Sequence, residues 1–213
     1  MADVKICGIR DSAALDAALS GGARFVGFVQ FEKSPRHVSI EQAASLFAKA
    51  RGRADIVLVT VNASDEQLYR ASVNLRPDYI QLHGSESPVR AAEVRKFAGK
   101  GVIKAIGVSR HGDLAQAAAF GPVADFFLFD AKPPPGGLPG GNALAFDWPI
   151  LAGVSLPRPW FLSGGLNPLN IKEAITASGA ALVDVSSGVE TAPGLKDPLA
   201  IAQFLAAAKS ASF

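Results

Sequence analysis

Cysteine is nearly absent: Cys7 is the one thiol in 213 residues, so no disulfide can form within the chain. Histidine is also scarce. His37, His83 and His111 lie far apart with no close ligand pair, which removes the ordinary zinc patterns. No apolar run approaches the ~20 residues that span a bilayer. Met1-Ala2-Asp3-Val4-Lys5 has no basic stretch leading into a long apolar core, so no signal peptide is expected and the expected location is cytoplasmic. Charge of one sign never accumulates: the formal net charge is +2 and no Lys/Arg run exceeds two residues. Nucleic acid and membrane surfaces are therefore poor partners. No phosphate-loop lysine motif occurs, and no dinucleotide fingerprint follows a strand, so neither cofactor nor metal is expected.

What is present is apolar residue in quantity, 49% of the chain, enough for a large core. The length fits a single domain over residues 1–213. Short runs rich in Val, Ile and Phe recur at 4–7, 25–31, 56–61, 79–82, 102–105, 126–130, 160–163 and 182–185. They read as strands covered on both faces. Between them lie Ala- and Leu-rich helical stretches near 11–20, 39–51, 65–75, 86–99, 110–120, 147–154, 168–178 and 197–208. Ser39, Ser64, Ser109 and Asp197 sit where helix N-caps belong. Eight such units average roughly 27 residues, about the minimum for a strand-helix-strand repeat. The expected fold is α/β, a small (β/α)8 TIM barrel with parallel strands. A doubly wound open sheet is the competitor, but Cys7-Gly8-Ile9-Arg10 is not its Gly-rich nucleotide turn. The Pro- and Gly-rich stretch 133–142 follows strand six and reads either as a lid or as a plain surface loop.

Chemistry in such a barrel sits at the C-terminal ends of the strands. Small residues after strands seven and eight, Ser163-Gly164-Gly165 and Ser186-Ser187-Gly188, let backbone N–H groups approach an anion. A phosphorylated small molecule is the expected partner, bound through Gly164, Gly165, Ser187 and Gly188. Cys7 ends strand one, as a small buried hydrophobe or as a reactive thiol. Asp130 ends an apolar strand, where a carboxyl either caps the next loop or, desolvated, serves as an acid. Arg36, in loop two, is a solvated charge or a bidentate clamp for a carboxylate. His83 lines the site or bonds a loop carbonyl. Asp184, between two valines, needs a partner, and Lys5 is expected to supply it because closing the barrel brings strand eight beside strand one.

Taken in order, several stretches resemble the phosphoribosylanthranilate isomerase family. They are Lys5-Ile6-Cys7-Gly8-Ile9, Gly27-Phe28-Val29, Lys33-Ser34-Pro35-Arg36, 59–62 more loosely, and Gln81-Leu82-His83-Gly84. The set continues with Asp130-Ala131-Lys132, Phe146-Asp147-Trp148, Leu162-Ser163-Gly164-Gly165-Leu166 and Asp184-Val185-Ser186-Ser187-Gly188-Val189-Glu190. The resemblance implies an Amadori rearrangement of an N-linked ribosyl phosphate on anthranilate. It implies that Asp130 is the general acid and Cys7 the general base, and that Arg36 lies near the anthranilate. It also matches the Gly/Ser loops to the phosphate grip, and His83 and Asp184 are expected to contact substrate. A free thiol titrates at ~8.5, so a modest lowering would make the Cys7 thiolate available at neutral pH. Gln30, Glu32 and the stretch 140–143 depart from the family's usual residues and bear on strand-two packing and the unit-six loop. The histidine-pathway isomerase is the nearest rival, but no half-to-half repeat is seen and Cys7 stands where that family has an aspartate. A phosphate-binding barrel without activity is the rival from another class. A monomer is expected, with a homodimer as the alternative.

Overall fold

The structure is a computed structural model that describes residues 1–132, 140 and 146–211. Eight strands close into a parallel barrel in sequence order: β1 (Asp3–Cys7), β2 (Phe25–Gln30), β3 (Asp55–Thr60), β4 (Tyr79–Leu82), β5 (Gly101–Val108), β6 (Phe126–Ala131), β7 (Trp160–Leu162) and β8 (Leu182–Val185). The closing contact decides against the open sheet. β1 pairs with β8 in the register Lys5↔Asp184, and with β2 in the register Cys7↔Gly27.

Seven α-helices cover the barrel among the described residues: α1 (Ser12–Ser20), α2 (Ile40–Ala50), α3 (Asp65–Leu75), α4 (Pro88–Val94), α5 (Gln116–Phe120), α6 (Ile171–Ser178) and α7 (Pro198–Lys209). Ser39 and Ser64 each close a reciprocal capping box, with Gln42 and Gln67. Asp197 caps α7 through Leu199 N. Ser109 does not cap a helix. Its N–H and hydroxyl instead donate to Asp113, whose carboxylate gathers the start of a 3-10 turn. The expected helices at 86–99 and 110–120 are shorter than their patterns, each being a brief α-helix joined to a 3-10 turn. The expected helix at 147–154 is the 3-10 turn Trp148–Leu151. After β8 the chain makes a small antiparallel hairpin, β9 (Glu190–Ala192) and β10 (Leu195–Lys196), that the strand pattern did not reveal.

Alternation along each strand sends every second side chain into the barrel. One cluster holds the inward set, including Cys7, Phe25, Val57, Val59, Ile103, Leu128 and Phe161. The larger cluster lies between strands and helices. Phe25, Tyr79, Phe126 and Phe161 pack edge-on or tilted, with centroids 5.1–6.1 Å apart. These rings fill the inward positions at the N-terminal half of the barrel. The same alternation therefore turns polar towards the other end: Gln81 and Asp184, then Cys7 and Ser163, then His83 and Asp130.

Candidate active site

Cys7, Arg36, His83, Asp130, Ser163, Asp184 and Ser186 line one cavity of about 60 Å³ at the C-terminal mouth. This cavity shares Val61, His83, Asp130 and Gly140 with a neighbour of about 610 Å³. The combined space is in the range of small-molecule sites. Five separate strand ends and the loop after β2 thus bring together seven residues, most of them far apart in sequence.

Asp130 occupies the last inward position of β6 and is 8% exposed. The sequence left open whether it caps the next loop or faces a ligand, and the geometry does both. Oδ1 accepts from the N–H of Ala131 at 2.9 Å, while Oδ2 faces the cavity and lies 3.4 Å from His83 Nε2. His83 is itself fixed from behind: Gln81, fully buried, meets its Nδ1 at 2.8 Å. With the amide nitrogen donating, the neutral ring carries its proton on Nε2, towards Asp130.

Cys7 is buried, and Gly27 on the neighbouring strand leaves the room it occupies; a β-carbon there would lie 3.0 Å from Sγ. Burial pushes the thiol pKa up, and the nearby Lys5 and Lys196 ammoniums offset this only in part. The lowering that would free a thiolate at neutral pH is thus not found, because desolvation outweighs the two cations. Beneath Cys7, Lys5 and Asp184 do pair, Nζ to Oδ1 at 2.7 Å, with Ser163 Oγ donating to Oδ2 at 3.1 Å. Burial alone would pull the Lys5 pKa down, but Asp184 and Cys7 outweigh it and hold it up.

The two Gly/Ser loops abut. A β-carbon on Gly188 would overlap the Leu166 carbonyl oxygen, so only glycine lets the loop after β8 press on the loop after β7. Gly164 and Gly165 both have left-handed backbone (φ +84° and +66°), and their N–H groups donate to no described residue. Ser187 and Gly188 belong to a 3-10 turn, Ser187–Val189. Gly164 also lies against Asp130: its β-carbon would be 3.2 Å from Oδ1.

Arg36 is buried rather than solvated. Its Nε and Nη2 donate to the two oxygens of Glu190, each at 2.8 Å. Glu190 also accepts from Lys196 Nζ at 2.7 Å. Burial would raise the Glu190 pKa, yet Arg36 and Lys196 outweigh it and hold it below the usual carboxylate range. Lys196 is the residue that reasoning from sequence missed. The Pro193-Gly194 turn signal between Glu190 and Lys196 was the available clue. Gln30 and Glu32 line a groove near α2 and α3 that meets the Cys7–Asp130 cavity at Phe31 and Val61, and neither residue lines that cavity. The stretch 133–142, read as lid or loop, lies outside the described residues except for Gly140, as do 141–143.

With this geometry in place, similarity to known proteins decides the family. The family profile for N-(5'-phosphoribosyl)anthranilate (PRA) isomerase matches residues 4–207. The chain belongs to the PRA isomerase family. An N-(5'-phosphoribosyl)anthranilate isomerase of Caulobacter vibrioides is 52% identical over 209 residues, covering 97% of this chain and 95% of its own. The crystal structure of phosphoribosyl anthranilate isomerase from Thermotoga maritima superposes with a TM-score of 0.87 at 35% identity, over 98% of this chain and 99% of that one. A PRA isomerase in complex with reduced 1-(o-carboxyphenylamino)-1-deoxyribulose 5-phosphate gives a TM-score of 0.83 at 34% identity, with the same coverage.

Proposed function

We propose that this PRA isomerase family member converts N-(5-phosphoribosyl)anthranilate to 1-(2-carboxyphenylamino)-1-deoxyribulose 5-phosphate in tryptophan biosynthesis, with Asp130 as general acid and Cys7 as general base. The observation that carries the assignment is that both residues line one cavity, with the two Gly/Ser loops on the strands between them in the barrel ring. A phosphate held by Gly164, Gly165, Ser187 and Gly188 leaves the ribose between β6 and β1.

Asp130 gives a proton to the furanose ring oxygen as the C1–O bond breaks, and the anthranilate nitrogen supplies the electron pair for a Schiff base at C1. Cys7, as thiolate, removes the C2 proton; the C2–H electron pair forms the C1=C2 bond and the C=N π pair returns to the nitrogen, giving an enolamine. Ketonisation then puts a hydrogen on C1 and removes one from the C2 hydroxyl, so substrate and product are isomers. The cycle closes when Cys7 loses its proton and Asp130 regains one. His83, directed by Gln81, and Asp184 bind the opened sugar chain; each oxygen of Asp184 has a second lone pair for a hydroxyl. Arg36 serves the anthranilate carboxylate.

This reading asks for no residue from a second subunit, so a monomer would suffice for the chemistry. No helix among the described residues is long and apolar enough to cross a membrane, and a biosynthetic isomerase of this family fits the cytoplasm. The test is to generate phosphoribosylanthranilate in situ and follow its fluorescence. Loss of anthranilate-type fluorescence on adding the protein supports the reading; a stable signal with active coupling enzyme refutes it.

A further inference from the structure

Glu190 and Lys196 neither give nor take a proton in the reaction, though Lys196 biases the Cys7 thiol, and they are among the most buried charges in the molecule. The Lys196 side chain is 0% exposed and the Glu190 side chain 4%. A buried ion cluster of this kind seldom adds stability over apolar residues of the same volume. What it does here is connect. Lys196 Nζ donates to the Ser186 carbonyl at 2.9 Å, to Ser186 Oγ at 3.3 Å and to Glu190 Oε1 at 2.7 Å, which matches its three donors. Glu190 in turn accepts the parallel pair of bonds from Arg36, the geometry that best fixes a guanidinium plane.

We propose that the β9–β10 hairpin is a strut in which Lys196 and Glu190 are positioning residues, holding the phosphate loop after β8 and the Arg36 guanidinium at a set separation. The two ends of the substrate, phosphate and aryl carboxylate, are then gripped by one rigid unit. The proposal rests on the assignment of those two ends made above. The hairpin is braced for such a task. At Gly194 a β-carbon would overlap the Pro35 carbonyl oxygen, so the turn packs directly on the loop that carries Arg36. Arg10 Nη1 donates to that same carbonyl at 3.0 Å, and Asp197 N–H donates to Val189 at the hairpin's base. Burial lowers the Lys196 pKa, Glu190 offsets this in part, and Glu190 itself is held ionised.

The test is a kinetic cycle with Glu190→Gln, Arg36→Met and the double variant, alongside Lys196→Met. Glu190→Gln is expected to raise KM about 10-fold with kcat changed less than about 3-fold, because it loosens a clamp and not the acid or base. In the Arg36→Met background the same change is expected to alter KM by less than about 2-fold. Lys196→Met is expected to weaken competitive inhibition by inorganic phosphate about 10-fold as well, whereas Glu190→Gln affects it less. Glu190→Asp and Lys196→Arg keep the charge and test the same point if a neutral variant folds poorly; partial recovery of KM supports the strut. Equal effects of Glu190→Gln with and without Arg36 overturn it, as does a fall in melting temperature with KM unchanged. Phosphate binding measured by calorimetry needs no turnover. It separates failure of the strut from failure of the isomerase reading, which is shown by an inactive wild-type protein.

Discussion

Cys7 sets the pH behaviour. A base must be deprotonated to work, and burial holds this thiol above its ordinary pKa while Lys5 and Lys196 pull the other way. The thiolate is therefore the minor form at neutral pH, and the rate of Cys7 alkylation by iodoacetamide should still be rising with pH beyond about 8.5, the ordinary thiol midpoint. A rate–pH profile checks this; a plateau below pH 7 contradicts it. Lys5→Met removes one of the cations and should move the rise to higher pH. The sequence revealed Cys7 at a strand end but not the sign of its shift. That sign is set by burial in the folded barrel, which outweighs Lys5 and also Lys196, a residue 189 positions away in sequence. Asp130 was ambiguous for a similar reason. Whether its carboxyl capped a loop or faced a ligand depended on two oxygens with different surroundings.

At the scale of elements, the loops after β7 and β8 work as one surface because Gly188 lets them touch. Gly188→Ala should push Leu166 away and weaken the phosphate grip. An increase in KM of about 10-fold, with little change in kcat, is the expected outcome in steady-state kinetics. The strands were legible because inward and outward faces are both buried, so each reads as a short apolar run. β5 ran longer than its pattern, since Ile106 and Val108 continue outward-facing pairing with β6 past the first four residues. α4 and α5 shrank because their Ala-rich patterns contain no signal for a 3-10 turn. The β9–β10 hairpin was missed because strands of 3 and 2 residues are too short to show alternation.

For the molecule as a whole, closure of the barrel creates the Lys5–Asp184 pair, 179 residues apart in sequence. The pair was foreseeable because a closed eight-strand ring makes the first and last strands neighbours. Its removal should be felt by the entire fold. Lys5→Met leaves Asp184 buried without its cation, at a cost of about 3 kcal/mol. For a domain of this size that is a fall in melting temperature of about 10 °C, measurable by calorimetry. Lys5→Met with Asp184→Asn should recover part of the loss, since the second change removes the stranded charge.

The assignment of Asp130 as acid and Cys7 as base meets its most direct test in turnover of phosphoribosylanthranilate by Cys7→Ser and Asp130→Asn. Both substitutions keep side-chain size and remove the proton chemistry. Each should lower kcat about 10²–10⁴-fold while the protein stays folded and binds inorganic phosphate as the wild type does. Full turnover by either folded variant would contradict the role given to that residue.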